Sequence, residues 1–342
     1  MINLPPTIAL AQFGDAFSMS ARPTPVSSDG THRFQHFAMA CPWSLWIAEV
    51  EFDYAAQLAQ DVWDEVDRLE GELSRFIVSS DIYRLNAALR QGDSGWVNIG
   101  VTAWECLYLG LTVSELTGGA FDIALGDTIE ARRGEDDLIR EVTDSPQWEG
   151  AWNRYLQLAE EPLRARLTDT RAQVDLGALG KGYALDISAN LLRDWGIQHA
   201  LFSAGQSTIL GLGDAPDTAN QGAKGWPVAL RPPSTAGSDG ESGGRGILQN
   251  MALSGSAQVL HGSHIIDGRT GKTASNWRGA WAVAPTAALS DACSTAFMVM
   301  DFAEIQAFCS QQIKVGALLL DNDGQWQRCG IDVWELDSPN KN

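Results

Sequence analysis

The chain has 342 residues, 44% of them apolar, and a formal net charge of −19. So acidic a protein excludes a general nucleic-acid surface or an anionic-membrane surface, because both need clustered Lys and Arg. Any phosphate ligand has to be held locally, by backbone N–H groups, one or two basic residues, or a metal ion.

Residues 1–30 are rich in Pro, Ser and Thr and read as an irregular arm ahead of a single domain over 31–342. The arm shows no basic segment followed by an uninterrupted apolar run. No signal peptide, lipoprotein leader or membrane helix is expected, and a cytoplasmic location follows as the expectation. Phe34–Glu51 alternates well enough for one or two strands. Leu58, Val62, Val66, Leu69 and Leu73 then recur at helical spacing and predict an amphipathic helix. A second helix is expected from Thr102 toward Leu116, stopped by Gly118 and Gly119. A further helix is expected around Trp148–Leu158, and Val174–Gly177 reads as a strand end entering a glycine turn. From Lys181, the positions Ala184, Ile187, Leu191, Leu192 and Trp195 predict a helix that Gly196 ends. His199–Leu210 is strand-like, and residues 234–246 form a low-complexity loop between strand-like Trp226–Arg231 and Ile247–Ser254. Strand Gly279–Ala284, a helix over about Ser290–Val299, a short helix and strand Val315–Leu320 close the chain. Thirty-four glycines and thirteen tryptophans fit a loop-rich α+β protein. Cys41, Cys106, Cys293, Cys309 and Cys329 lack CxxC spacing and read as small apolar residues, not as a disulfide framework or zinc site.

Four stretches carry chemistry. Asp175–Asp186 is a glycine turn opening a helix, where free N–H groups, a positive dipole end and Lys181 suit a phosphate. It is not a Walker A loop, and a purely structural turn fits it equally well. In Pro285–Ala296, Asp291 and Thr295 fall one turn apart on a helix face and offer oxygens to a hard cation such as Mg²⁺. The alternative is that Ser290 or Asp291 is an N-cap. His264 lies three residues before Asp267 in a turn-forming segment, as a polar pair or as a structural histidine. Thr117–Asp122 is a helix stop followed by an aromatic and a carboxylate, or a plain C-cap loop.

The order of these stretches resembles the ApbE family of FAD:protein FMN transferases from about Phe34 to Gly330. Ala38–Trp43 matches the family's Met-Gly-Thr strand loosely. Leu73–Phe76 and Ser80–Asn86 match the next block, and TGGAFD stands intact at 117–122. Asp175–Asp186 corresponds to DLGGIAKGYAVD, Ser254-Gly255 with His264–Gly271 to the SG…HIIDPRTG block, and Ala284–Ala296 to the last helix. Departures are Ala40 and Cys41 for Gly-Thr, Gln206 for a glycine, and Gly268 for the usual Pro.

The resemblance implies an α+β fold of the ApbE (T-fold-like) kind, mixed sheets with packed helices and a flavin site between two halves. It implies that Met39, Phe76, Ala120, Phe121, Asp122, Asp175, Lys181 and Ile266 bind FAD. Mg²⁺ would be held by a carbonyl near Ala178 with Asp291 and Thr295. The implied reaction is Mg²⁺-dependent transfer of FMN from FAD to a Thr or Ser hydroxyl of an acceptor protein, with AMP leaving and His264 assisting. The alternatives at this point are a FAD-binding protein without transfer activity, or a FAD pyrophosphatase giving FMN and AMP.

Overall fold

A computed structural model describes residues 31–126, 155–169, 172–216, 224–230, 244–257, 265–312 and 314–335. Strands β1 (Thr31–Ala38) and β2 (Cys41–Ala48) form an antiparallel hairpin whose last pair is Ala38 with Cys41. The two-residue connection, Met39-Ala40, has φ of 50° and 58°. That is the turn hand that matches strand twist, though glycine or Asn normally occupies it.

Helix α1 (Phe52–Leu73) buries the predicted stripe Leu58, Val62, Val66, Leu69 and Leu73. Helix α2 (Asp81–Arg90) was not expected from the sequence. Ser80 caps it by accepting from Tyr83 N at 2.9 Å, and it buries Ile82, Leu85, Asn86 and Leu89. Asp81 is buried with them, so two of the five buried positions are polar, which obscures the apolar period. Strand β3 (Val97–Asn98) and α3 (Val101–Leu116) follow, and Gly118 and Gly119 at positive φ end the helix as expected.

The expected helix at 148–158 is corrected where it can be described. Leu156–Ala159 is strand β4, paired with β5 (Arg164–Leu167), and the earlier residues lie outside the described ones. Val174–Gly177 is not a strand end: only Gln173 makes an isolated bridge, to Leu125. Helix α4 (Gly180–Asp194) is followed by β6 (Ala200–Ala204) and β7 (Thr208–Leu212), so the single strand expected over 199–210 is a hairpin. Its five-residue strands are buried on both faces, which removes the apolar/polar alternation that would have marked its turn. Strands β8 (Trp226–Leu230), β9 (Gly244–Leu248), β10 (Met251–Ala257) and β11 (Gly279–Ala284) lead to α5 (Ala287–Phe297). Helix α6 (Phe302–Gln311), β12 (Gly316–Leu320), β13 (Trp326–Gly330) and β14 (Trp334–Glu335) complete the described chain. Most of the low-complexity stretch 234–246 lies outside the described residues.

One eight-stranded antiparallel sheet, in the order β1-β2-β6-β7-β10-β11-β12-β13, divides the molecule. Successive side chains of a strand face opposite sides. Trp43, Leu45, Ile47, Ala252, Ala280, Ala282 and Ala317 join the helices in one core. Trp46, Ala48, Leu253, Trp281, Val283 and Leu318 pack on the other side with Trp226, Val228, Leu248 and Trp334 of the small sheet β14-β9-β8. The alanines on the helix side let α5 lie close to β10 and β11. This is the mixed α/β architecture expected, with sheets and packed helices.

Candidate functional site

The start of α5 differs from the sequence reading, and the difference decides what Asp291 does. Thr286 is the N-cap, its hydroxyl accepting from Leu289 N at 3.3 Å. Asp186, at the end of the glycine-turn motif, accepts the backbone N–H groups of Ala287 and Ala288 at 2.7 and 2.9 Å. The orphan donors of the first turn are therefore satisfied without Ser290 or Asp291. Ser290 instead donates to Ala282 O, and Asp291 sits in the second turn, buried.

Asp291 Oδ1 accepts from the Thr208 hydroxyl at 3.2 Å, while Oδ2 is buried with no partner. Burial pushes the pKa of this carboxyl above the ordinary carboxylate range, opposed by Lys181, by Thr208 and by the nearby backbone N–H of Gly182. Thr295, one turn along, reaches Asp291 O at 3.4 Å and lies 3.3 Å from Ser256 Oγ. Ser256 is also 2.9 Å from Ser294 Oγ. The sequence expectation of one shared helix face for Asp291 and Thr295 matches this geometry.

The glycine turn is anchored from several sides. Asn86, buried in α2, donates to Val174 O and accepts from Val174 N, at 2.9 and 2.8 Å. Asp175 accepts from Gly177 N at 2.8 Å and pairs with Arg75 at 3.2 Å. Lys181 Nζ donates to Gly177 O at 2.7 Å, across the turn that contains the partly buried Ala178. Gly182 is where α4 meets α5: a Cβ there would stand 2.3 Å from Ala287 O, so the close approach needs glycine.

The 117–126 segment lies between two other blocks. Asp175 N donates to Ile123 O at 2.8 Å, and Gly268 N reaches Ala120 O at 3.4 Å. A Cβ on Gly268 would stand 2.4 Å from Gly119 O, so this chain's departure from the family Pro accompanies a tight contact with TGGAFD. Ala120 and Phe121 are core residues, 2% and 3% exposed. Asp122 accepts from Ala124 N at 2.8 Å, and burial raises its pKa to about 6. Ile266 is buried and bridged to Thr273.

Phe76 is 69% exposed, with the Arg75 guanidinium 4.3 Å from its ring centroid. Through Arg75 and Asp175 this aromatic is tied to the glycine turn. Met39 is partly buried in the strained hairpin turn, and Cys41 next to it lies near Lys181 and Asp291. Burial keeps the Cys41 thiol above its ordinary pKa, so it is a neutral group. Gln206 is exposed, and it is Gly205 before it that holds φ 59°. The glycine-requiring position of that turn is thus retained.

Ala178, Asp175, Lys181, Asp291 and Thr295 therefore belong to one neighbourhood around the α4–α5 crossing, with Phe76 joined to it by Arg75. Ala120–Asp122 and Ile266 flank it, and His264 lies outside the described residues. Sequence reading missed Arg75, Asn86, Gly182, Asp186, Thr208 and Ser256. Asp186 could have been found as the last residue of the glycine motif, whereas Thr208 is 83 positions from its partner and carries no local signal. Among the described residues no three His, Cys, Asp or Glu side chains cluster as a metal site, and no helix is long and apolar enough to cross a membrane.

Comparison with known proteins converges on one family. Residues 39–319 match the ApbE family. The chain is 29% identical over 257 residues to a FAD:protein FMN transferase of Rhodobacter capsulatus, covering 71% of this chain and 47% of that protein. It thus spans about half the length of that relative. It is 25% identical over 299 residues, 81% of each chain, to the FAD:protein FMN transferase of Salmonella typhimurium. In fold it resembles the flavin transferase ApbE of Vibrio cholerae, with a TM-score of 0.70 at 17% identity, covering 87% of this chain and 96% of that one. The ApbE protein of Thermotoga maritima gives 0.71 at 19%, covering 87% and 97%. With the family match running from the strained hairpin turn through the α5 helix to β12, the chain belongs to the ApbE family.

Proposed function

We propose that this protein is a FAD:protein FMN transferase, using Mg²⁺ to move the FMN part of FAD onto a Thr or Ser hydroxyl of an acceptor protein. The observation that carries the reading is the buried, unpartnered Oδ2 of Asp291 beside the lysine-bearing N-terminus of α4. A lone buried carboxylate oxygen is costly unless a cation or donor meets it. One carboxylate, the Thr295 hydroxyl and a carbonyl such as that of Ala178 make an all-oxygen set, which suits a hard divalent ion. When bound, Mg²⁺ would neutralise charge on the pyrophosphate and raise its electrophilicity.

The remaining roles belong to the chain's own groups. Lys181 and the α4 N-terminus favour an anionic phosphate. The exposed Phe76 offers an aromatic face to the isoalloxazine, and Arg75 holds that face against the Asp175 turn. Met39, Ala120, Phe121, Asp122 and Ile266 are assigned to the flavin site by family position. In the reaction the acceptor oxygen bonds to the FMN-side phosphorus, and the bond from that phosphorus to the bridging oxygen breaks. AMP then leaves. The hydroxyl proton passes to a base, for which His264 is the candidate because a neutral imidazole accepts protons near neutrality.

Incubation with FAD and Mg²⁺, with and without an added acceptor protein, tests the reading by AMP release and by flavin fluorescence retained on denatured acceptor. Covalent flavin and AMP in equal amounts are expected, and Asp291→Ala is expected to lose both while staying folded by circular dichroism. AMP with only free FMN would make the protein a pyrophosphatase. Full turnover by Asp291→Ala in the presence of chelator would remove the metal from the scheme.

A further inference from the structure

Strands β7 and β10 are adjacent in the large sheet, with Ser254 opposite Thr208. On β7, Leu210 and Leu212 belong to the helix-side core, so Thr208 faces that side too. On β10, Ala252 belongs to it, which places Ser254 and Ser256 on the same face. The sheet therefore presents a hydroxyl-bearing floor beneath α5, where an apolar surface would serve packing equally well. Thr208 is buried and donates to Asp291 Oδ1 at 3.2 Å. Ser256 lies 3.3 Å from Thr295 Oγ1 and 2.9 Å from Ser294 Oγ. Each of the two candidate cation ligands of α5 is thus met by one hydroxyl from one strand.

A carboxylate with two free oxygens can rotate about its Cβ–Cγ bond and present either. Thr208 engages Oδ1, and Oδ2 is the oxygen left without a partner. We propose that Thr208, supported by Ser256 under Thr295, is a positioning residue that fixes the Asp291 carboxylate so that Oδ2 faces the cation. The proposal rests on the reading of Asp291 as a Mg²⁺ ligand. Groups that orient metal ligands in this way typically change metal affinity by about 10–100-fold when removed.

The test uses Mn²⁺, a hard cation of similar ligand preference, titrated into the full-length protein and followed by loss of the free-ion electron paramagnetic resonance signal. Thr208→Val keeps shape and removes the donor, and is expected to weaken Mn²⁺ binding about tenfold or more. Thr208→Ser, which keeps the donor, is expected to stay within about threefold of wild type, and Ser256→Ala to fall between the two. In turnover, Thr208→Val should raise the Mg²⁺ concentration needed for half-maximal rate while the rate at saturating Mg²⁺ changes little. A purely structural threonine would instead lower the rate at saturating Mg²⁺ through loss of folded protein and leave the half-maximal Mg²⁺ concentration unchanged. If Thr208→Val does not fold, Thr208→Ala is read in the same way. Wild-type Mn²⁺ affinity in folded Thr208→Val or Thr208→Ala, with binding lost in Asp291→Ala, would overturn the positioning role alone. Wild-type affinity in Asp291→Ala would overturn the cation reading and the proposal with it.

Discussion

Burial makes carboxyl groups of this site reluctant to ionise, and Asp122 is the one where that can be isolated. Its pKa is pushed up to about 6 by burial, with the Ala124 N–H pulling the other way. Between the ordinary carboxylate range and pH 6 the folded protein therefore binds more protons at Asp122 than the unfolded chain does. Stability from this group is present at low pH and is lost as pH rises through that window. Asp122→Asn keeps an oxygen for the Ala124 N–H and removes the charge. The variant is expected to be more stable at pH 7.5 by about 1–3 kcal/mol, since part of the side chain still reaches solvent. Urea unfolding at about pH 4.5, 6 and 7.5 checks it, with the gain shrinking toward the lowest pH. Asp186 is also raised to about 6 by burial, but it accepts two N–H groups, so Asn cannot replace it cleanly. Asp175, Lys181, Asp291 and Thr295 were legible as site candidates because local chemistry and motif order agreed on them. Thr208 and Ser256 were not, because a hydroxyl on a strand says nothing of the helix it will meet.

The crossing of α4 and α5 is the element on which the site depends. Two helices approach closely only where a small residue permits it, and here Gly182 lies against the backbone of Ala287 and Ala288. A methyl at this point would stand 2.3 Å from Ala287 O and 2.7 Å from Ala288 Cα, atoms that cannot swing away as a flexible side chain can. Gly182→Ala is expected to cost about 2–3 kcal/mol by overpacking, in spite of alanine's better helix propensity. Because the shift pushes α5 off α4, Mg²⁺ affinity should fall, and the Mg²⁺ concentration for half-maximal rate rise, in the fraction that remains folded. Chemical denaturation and a Mg²⁺ titration of the rate check the two effects. Element by element, the long amphipathic helix α1 and the glycine-stopped helices were readable from periodicity. The central strands were not resolved into hairpins, since burial on both faces erases alternation. The start of α5 was misplaced because its cap is shared between Thr286 and Asp186, a residue 101 positions away from the Ala287 N–H it accepts.

At the scale of the whole molecule, one sheet serves two cores, and only its helix side carries the site. The small sheet with Trp226 and Trp334 covers the other face, packing on the side of the sheet opposite to α5. Around this frame the chain carries a net charge of −19, while the proposed substrate is held through an anionic pyrophosphate. The mean field of the protein therefore opposes FAD at long range, and Lys181 and the α4 N-terminus act only once it has arrived. Salt should help the first stage, because the screening length shrinks from about 30 Å at 0.01 M to about 10 Å at 0.1 M ionic strength. With Mg²⁺ fixed at a low saturating level, kcat/KM for FAD is expected to rise about two- to fivefold between about 10 and 150 mM KCl. The maximal rate should hardly change, because the reacting groups are too close together to be screened. The opposite slope, a steep fall with salt, would mean that the local positive charge at the α4 N-terminus outweighs the acidic surface and draws FAD in. Repeating the titration with Lys181→Gln separates the two fields. If the global charge governs approach, the variant keeps the rising salt slope although it binds FAD more weakly at every concentration.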